Sequence, residues 1–310
     1  MPEKKVILPI FREFESYLLL EKAMSEHTLD AYLHDIAKLQ EFLTLHELET
    51  PVERLDAKTL DRFIGYLYEL GIAERTQARI VSGIKAFYKF LLLTDLRADD
   101  PTHTLTAPRT GRKLPVVLSL VEIEKILEVV NLEKNEMRRL RNRAIIEVLY
   151  GCGVRVSELV NLRISHLFFS NEIIKVTGKG NKERLIPIGE NALNALKNYL
   201  HTADGRENQS LQTGEEDIVF LNNRGKRISR IFIFREVQKW AGLAGILKTV
   251  SPHTFRHSFA THLLEGGANL RAIQEMLGHE SITTTEIYTH LDLDYLRETV
   301  LMHHPRNRKK

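Results

Sequence analysis

HTFRHSFATHLLEGGANLRAIQEMLGHESITTTEIYTH, residues 253–290, decides how the second half of this chain is read. After Pro252, the apolar residues Phe255, Phe259, Leu263 and Leu264 recur at helical spacing, which predicts one buried stripe with His253 and Arg256 near the helix beginning. Leu270, Ile273 and Leu277 mark the inner side of a second helix, closed by Gly278 as a natural C′ residue, and His279 follows at once. Thr283 to Glu286 has capping-box spacing, so a third helix is expected to start there with Tyr288 in its first turns. Helix N-termini attract phosphate. An arginine and imidazoles close to one phenol suit a phosphodiester, because the cations neutralise the phosphate while the tyrosine attacks it. Each member taken alone has a plain structural explanation: a capping histidine, a surface arginine, a histidine just past a helix end, a half-buried tyrosine.

Upstream, helical patterns run from Ser119 to Val130 and from Arg138 to Tyr150, then Gly151 and Gly153 break the chain before Arg155 and a further helix through Leu162. Ile173–Thr177 and Arg184–Ile188 read as short strands around the turn Gly178-Lys179-Gly180-Asn181-Lys182, where glycine permits positive φ. Beyond the hairpin the pattern returns to helix almost to the end. The basic stretch Arg224, Lys226, Arg227, Arg230, Arg235 and Lys239 includes a helix suited to the major groove of DNA, since arginine reads guanine edges as well as phosphates.

The first hundred residues read as helices. One precedes Ser25, around Phe11 to Leu20. The next, with Ser25 as N-cap, carries Leu29, Tyr32, Leu33, Ile36, Leu39, Phe42 and Leu43 on one stripe. A third holds Leu60, Phe63, Ile64 and Leu67 and stops near Gly71. In the fourth, Ile80, Ile84, Phe87 and Leu91 share one side, while Arg75, Arg79, Lys85 and Lys89 project from roughly the opposite side. That basic face suits DNA, and an ordinary solvated surface explains it equally well. Periodicity fails between Asp99 and Pro115, where Pro101, Pro108, Gly111 and Pro115 surround Arg109, Arg112 and Lys113. The expected organisation is therefore a helical domain over 1–100, a basic linker over 101–115 that could track a phosphate backbone, and a mixed α+β domain over 116–310.

Composition sets bounds. With 310 residues, 43% of them hydrophobic, the chain can fill two cores. Forty-four Lys and Arg against 41 Asp and Glu leave a formal charge of only +3, so a nucleic-acid surface must come from arrangement. Cys152 is the single cysteine, which excludes an intramolecular disulfide and a cysteine-based zinc site and fits a reducing, cytoplasmic setting. The first apolar run, Val6 to Phe11, is interrupted by Pro9 and too short for a signal-peptide core, so no membrane association is expected.

HTFRHSFATH (253–262), LGH (277–279) and TTEIYTH (284–290) resemble the C-terminal boxes of the tyrosine recombinases. GVRVSEL (153–159) is similar to the first arginine box of that family, and TGKGNK (177–182) to its lysine hairpin. The resemblance covers essentially the whole chain, the helical N-terminal part being similar to the SAM-like core-binding domain, and within the family it looks most like the Xer branch. It implies a mainly α fold with a small β-hairpin, two domains forming a DNA clamp, and the following roles. Tyr288 is the nucleophile and His253 its general base. Arg155 and Arg256 grip non-bridging phosphate oxygens, with His279 donating a further hydrogen bond. Lys179 is the acid that protonates the leaving 5′-hydroxyl, Lys182 a phosphate contact, and Glu158 an accessory acid that orients the site. The resemblance also implies a 3′-phosphotyrosyl intermediate made without metal, ATP or other cofactor. It further implies a homo- or hetero-tetramer with a paralogous recombinase on two DNA sites, and chromosome-dimer resolution at a dif-like site, with a DNA translocase of the FtsK type as a further partner. Leu293, Leu296, Val300 and Leu301 form an apolar stripe resembling the segment that family members donate to a neighbour, with packing against its own chain as the alternative. Competing readings are an accessory DNA-binding protein that has lost catalysis, a type IB topoisomerase-like strand relaxer, and a metal site on His253, His257 and His262. The last lacks the carboxylate of a zinc hydrolase signature, and His262 would point away from the first pair.

Overall fold

The structure is a computed structural model that describes residues 9–22, 24–108, 116–178, 181–202, 205–206, 211–278 and 290–306. The chain divides into two compact units, residues 1–113 and 114–310. Described residues are mostly helical, with one small antiparallel sheet.

The first unit is built from α1 (Pro9–Leu20), α2 (Glu26–Leu45), α3 (Ala57–Glu69) and α4 (Glu74–Leu93). Its centre is the apolar stripe of α4: Ile80, Ile84, Phe87 and Leu91 are fully buried, and Phe87 meets Phe14 edge-on at 5.2 Å between ring centroids. Burying each such side chain contributes about 1.5–3 kcal/mol. α3 starts where Asp56 accepts a hydrogen bond from the Thr59 amide at 2.8 Å, a standard N-cap. Ser25 stands at the N-cap of α2, but its hydroxyl bonds the Thr28 hydroxyl and leaves the helix amides uncapped by its side chain. Turns follow at Pro101–Thr104, and Leu105 is buried in this same core, so the chain leaves the bundle only after it.

The second unit is organised around α6 (Glu136–Gly151), whose residues Ala144 to Gly151 are all buried; a helix enclosed on every side belongs at the centre of a core. Against it pack α5 (Leu120–Asn131), α8 (Glu190–His201) and α10 (Pro252–Glu265). A short helix α7 (Val156–Val160) follows α6. Three antiparallel strands come next, β1 (Leu167–Phe168), β2 (Ile173–Thr177) and β3 (Glu183–Pro187), ordered β1-β2-β3 with Ile174 opposite Ile186 and Val176 opposite Arg184. β1 is two residues long, too short for an alternation to register in sequence, which is why a hairpin was expected and a third strand is found. Among the described residues of the turn, Asn181, a residue that tolerates αL, takes a positive φ (59°) and Gly178 does not. The remaining helices are α9 (Arg230–Leu243), α11 (Leu270–Leu277) and α12 (His290–His303).

The C-terminal stripe packs within its own chain here, the alternative to donation to a neighbour. α12 packs on α10, α11 and β3 of its own chain, with Leu296 and Val300 buried in the second core and Leu301 left 41% exposed. The His303 Nδ1 lies 2.6 Å from the Gly266 carbonyl, and Arg306 reaches the buried Glu147 carboxylate at 2.6 Å. Helix and core are thus satisfied within one chain, because Leu296 and Val300 find their apolar partners there.

Candidate active site

Arg155 is the N-cap of α7, the point where the chain leaves the broken end of α6. Its amide donates to Glu158 Oε2 at 2.7 Å and its Nη1 to Glu158 Oε1 at 3.0 Å, so one carboxylate closes both the helix start and the arginine side chain. Glu158 is only 2% exposed. Burial pushes its pKa up, and the hydrogen bonds and charge of Arg184, helped by Arg155, outweigh that and hold it below the ordinary glutamate value.

Arg184 escaped the sequence reading. It points from the core-facing side of β3, next to Ile186 in the period-2 pattern, and forks onto Glu158 with Nη1 to Oε1 at 2.7 Å and Nη2 to Oε2 at 2.9 Å. A charge at a core-facing strand position must find a partner, and that alternation was the signal available.

Arg256 sits at the start of the second turn of α10, whose beginning is set by Pro252 and the Ser251–Thr254 cap. Its Nη1 donates to the Gly153 carbonyl at 2.7 Å and its Nη2 to the Leu277 carbonyl at 2.5 Å. The next carbonyl, Gly278, accepts from Arg155 Nη2 at 3.1 Å. Both guanidiniums are therefore anchored on adjacent carbonyls at the C-terminal end of α11, the negative end of its dipole. Gly278 takes φ 63°, an αL cap that turns these carbonyls outward, and His279 is the next residue in sequence. Burial and the charges of Arg155 and Arg184 pull the Arg256 pKa down to about 9, so it stays protonated at neutral pH while crowded by like charge. Three guanidiniums face one carboxylate here, an excess of positive charge that an anion would relieve.

His253 lies exposed one turn before Arg256. Partial desolvation, with the charges of Arg256, His257 and Arg155, lowers its pKa, which keeps the imidazole neutral and able to accept a proton at pH 7. His253, Arg256 and His257 border a cavity of about 350 Å³ between α10 and α11. His262 is turned the other way, into the core, with Nδ1 2.8 Å from the buried Tyr150 hydroxyl, so the three histidines do not converge. Lys179, His279 and Tyr288 lie outside the described residues. The structure thus brings together Arg155, Glu158, Arg256 and His253, and adds Arg184.

The basic residues read as DNA contacts divide. Arg75, Lys85 and Lys89 on α4, Lys182 in the hairpin and Arg230 at the start of α9 are exposed. Arg79 instead bonds the buried Asp35 at 2.6 Å and the Ala31 carbonyl, which corrects its placement on the free basic face: a carboxylate with no exposed surface needs this counter-charge. Arg227 is engaged with Glu215 and Asn161, and Arg109 lies outside the described residues. No helix among the described residues is long and apolar enough to cross a membrane.

Comparison with known proteins agrees with this geometry. The phage integrase family matches residues 117–294, and the phage integrase N-terminal SAM-like domain matches residues 11–94. The chain belongs to this family and is a tyrosine recombinase. Within it, the chain is similar to tyrosine recombinase XerD: 39% identity to that of Staphylococcus saprophyticus subsp. saprophyticus over 96% of this chain and 99% of the relative. It is 41% identical to that of Chlorobaculum tepidum over 94% and 95%. A solved structure of the XerH site-specific recombinase bound to difH substrate, in a pre-cleavage complex, is 26% identical and aligns with a TM-score of 0.66 over 93% of this chain and 83% of that one.

Proposed function

We propose that this protein is a site-specific recombinase that cuts and rejoins double-stranded DNA through Tyr288, resolving chromosome dimers at a dif-like site. The observation that carries the reading is the anchoring of Arg155 and Arg256 on the adjacent Gly278 and Leu277 carbonyls, immediately before His279. Two planar forks held there can each take non-bridging oxygens of one phosphate and stabilise the charge of a phosphorane-like transition state. His253, neutral by its surroundings, takes the phenolic proton as the Tyr288 oxygen bonds to phosphorus. The bond to the 5′-oxygen breaks, and Lys179 delivers a proton to that leaving group. The phosphoester is retained in the 3′-phosphotyrosyl link, so a 5′-hydroxyl from another strand reverses the step without ATP. His279 donates to the same phosphate.

Exchange between two duplexes calls for a tetramer of this chain or of this chain with a paralogous partner, working in the cytoplasm on chromosomal DNA, with a translocase of the FtsK type as activator. The XerH complex with its difH substrate supports the substrate class, and the exposed Arg75, Lys85, Lys89, Lys182 and Arg230 supply phosphate contacts.

The test is to trap covalent complexes on nicked chromosomal DNA and sequence what is captured. One short two-armed site is the expected result, and Tyr288→Phe should bind that site without forming an adduct. Scattered sites, with relaxation of supercoiled DNA, would instead mark a topoisomerase-like relaxer; no adduct at all would mark an accessory binder.

A further inference from the structure

We propose that Arg184 is a positioning residue for strand cleavage: it holds Glu158 so that Arg155 stays aimed at, and available to, the scissile phosphate, a role that rests on the recombinase reading above.

Arg184 is 7% exposed, so it is not itself a surface phosphate contact. Its guanidinium is committed on three sides: Nη1 and Nη2 to the two oxygens of Glu158, and Nε to the Met276 carbonyl at 2.8 Å. The stem runs against the outward turn of α11, where a Cβ added to Gly278 would lie 3.1 Å from Arg184 Cδ. On the other flank, a Cβ on Gly178 would lie 3.4 Å from Glu158 Oε1, so the strand end leading into Lys179 also closes on this pair. One side chain therefore joins the start of α7, the lysine hairpin and the end of α11, each adjacent in sequence to a proposed catalytic residue.

The electrostatics give the join a purpose. Glu158 already accepts from the Arg155 amide and from Arg155 Nη1. Were Arg184 absent, Arg155 would be the one hydrogen-bonded cation left to this buried carboxylate among the described residues, and Glu158 would draw that guanidinium inward, cancelling the charge the phosphate needs. With Arg184 forked onto both oxygens, the carboxylate is neutralised from behind. Arg155 then spends one nitrogen on Glu158 and holds its other against Gly278, with its side chain still 41% exposed. Sharing one carboxylate between two arginines thus leaves Arg155 oriented without being quenched.

The experiment compares wild type, Arg184→Lys, Arg184→Met and the double variant Glu158→Gln/Arg184→Met on a nicked duplex carrying the captured site. DNA affinity and the single-turnover rate of tyrosyl-adduct formation are measured separately. Both single variants should retain site affinity and form adduct about 10²-fold more slowly, the loss expected when a reacting group is misplaced by about 1 Å. The double variant should recover part of that rate over Arg184→Met, since no unpaired carboxylate then competes for Arg155. An unchanged rate in Arg184→Met, an equal loss of affinity and rate in both single variants, or a double variant no faster than Arg184→Met would each overturn the proposal. Absence of adduct from the wild type would overturn the recombinase reading instead.

Discussion

Gly153 abuts the ring of Phe259: with φ at 58°, a Cβ added there would fall inside the van der Waals surface of that ring. The contact lets the break after α6 come close enough to α10 for the Gly153 carbonyl to receive Arg256 Nη1. Gly153→Ala meets both a left-handed backbone and a filled core, and should lower stability by about 2–4 kcal/mol. Urea unfolding of the second unit's transition would show it, and adduct formation should fall further than DNA affinity because Arg256 loses its seat. A stability within 0.5 kcal/mol or so of wild type would contradict the packing described, since that is the scatter of neutral surface changes.

Lys179 carries the leaving-group role in the proposed cycle. Lys179→Ala should be slow on ordinary DNA and recover when the bridging 5′-oxygen is replaced by sulfur, which departs without a proton. Equal slowness on both substrates would remove Lys179 from that role.

His304 makes stability depend on pH. It is 1% exposed beside Tyr150 and Phe259, and its Nε2 has no hydrogen-bond partner among the described residues. Burial, with the charges of His262 and Arg306, holds its pKa at about 3. Because the folded value is depressed, the unfolded chain binds the extra proton first. The contribution is complete above the ordinary histidine pKa and is lost as pH falls from there toward 3, at about 1.4 kcal/mol per pH unit. Urea midpoints between pH 7.5 and pH 5, where carboxylates still contribute little, should fall accordingly, and His304→Leu should flatten the dependence. An identical slope in that variant would place the titration elsewhere.

Arg79 and Lys85 separate charge used for folding from charge offered to DNA. Lys85→Ala should reduce the slope of log affinity against log salt by about 0.9 and leave the unfolding curve alone, if it meets a phosphate. Arg79→Gln strands the buried Asp35 and should cost about 1–3 kcal/mol of stability. Salt titrations and unfolding curves on the two variants distinguish these effects, and a salt-slope change from Arg79→Gln with no loss of stability would reverse the assignment.

Much of this was legible in the linear chain. Helical stripes such as Ile80, Ile84, Phe87 and Leu91 announce their buried face because side-chain direction repeats with the backbone, and Gly278 announces a helix end because few other residues enter αL without strain. The ordered boxes around Arg155, Arg256 and Tyr288 likewise carry the family's signature in the sequence itself. Burial partners were not legible. Arg79 sits among exposed bases of α4 in sequence and is tied to Asp35 across the bundle, while the stripe of α12 reads the same whether it packs at home or on a neighbour.

What the sequence by itself determined is local: which segments are helices, where they stop, and which residue types chemistry would call upon. Only the tertiary structure decided that Arg155 and Arg256 share one helix end, that Arg184 stands behind Glu158, and that Leu296 and Val300 close their own core. Periodicity and caps are properties of neighbours along a chain. A charge's partner is whatever carboxylate or carbonyl folding brings within about 3 Å, and that distance exists only once the chain has closed on itself.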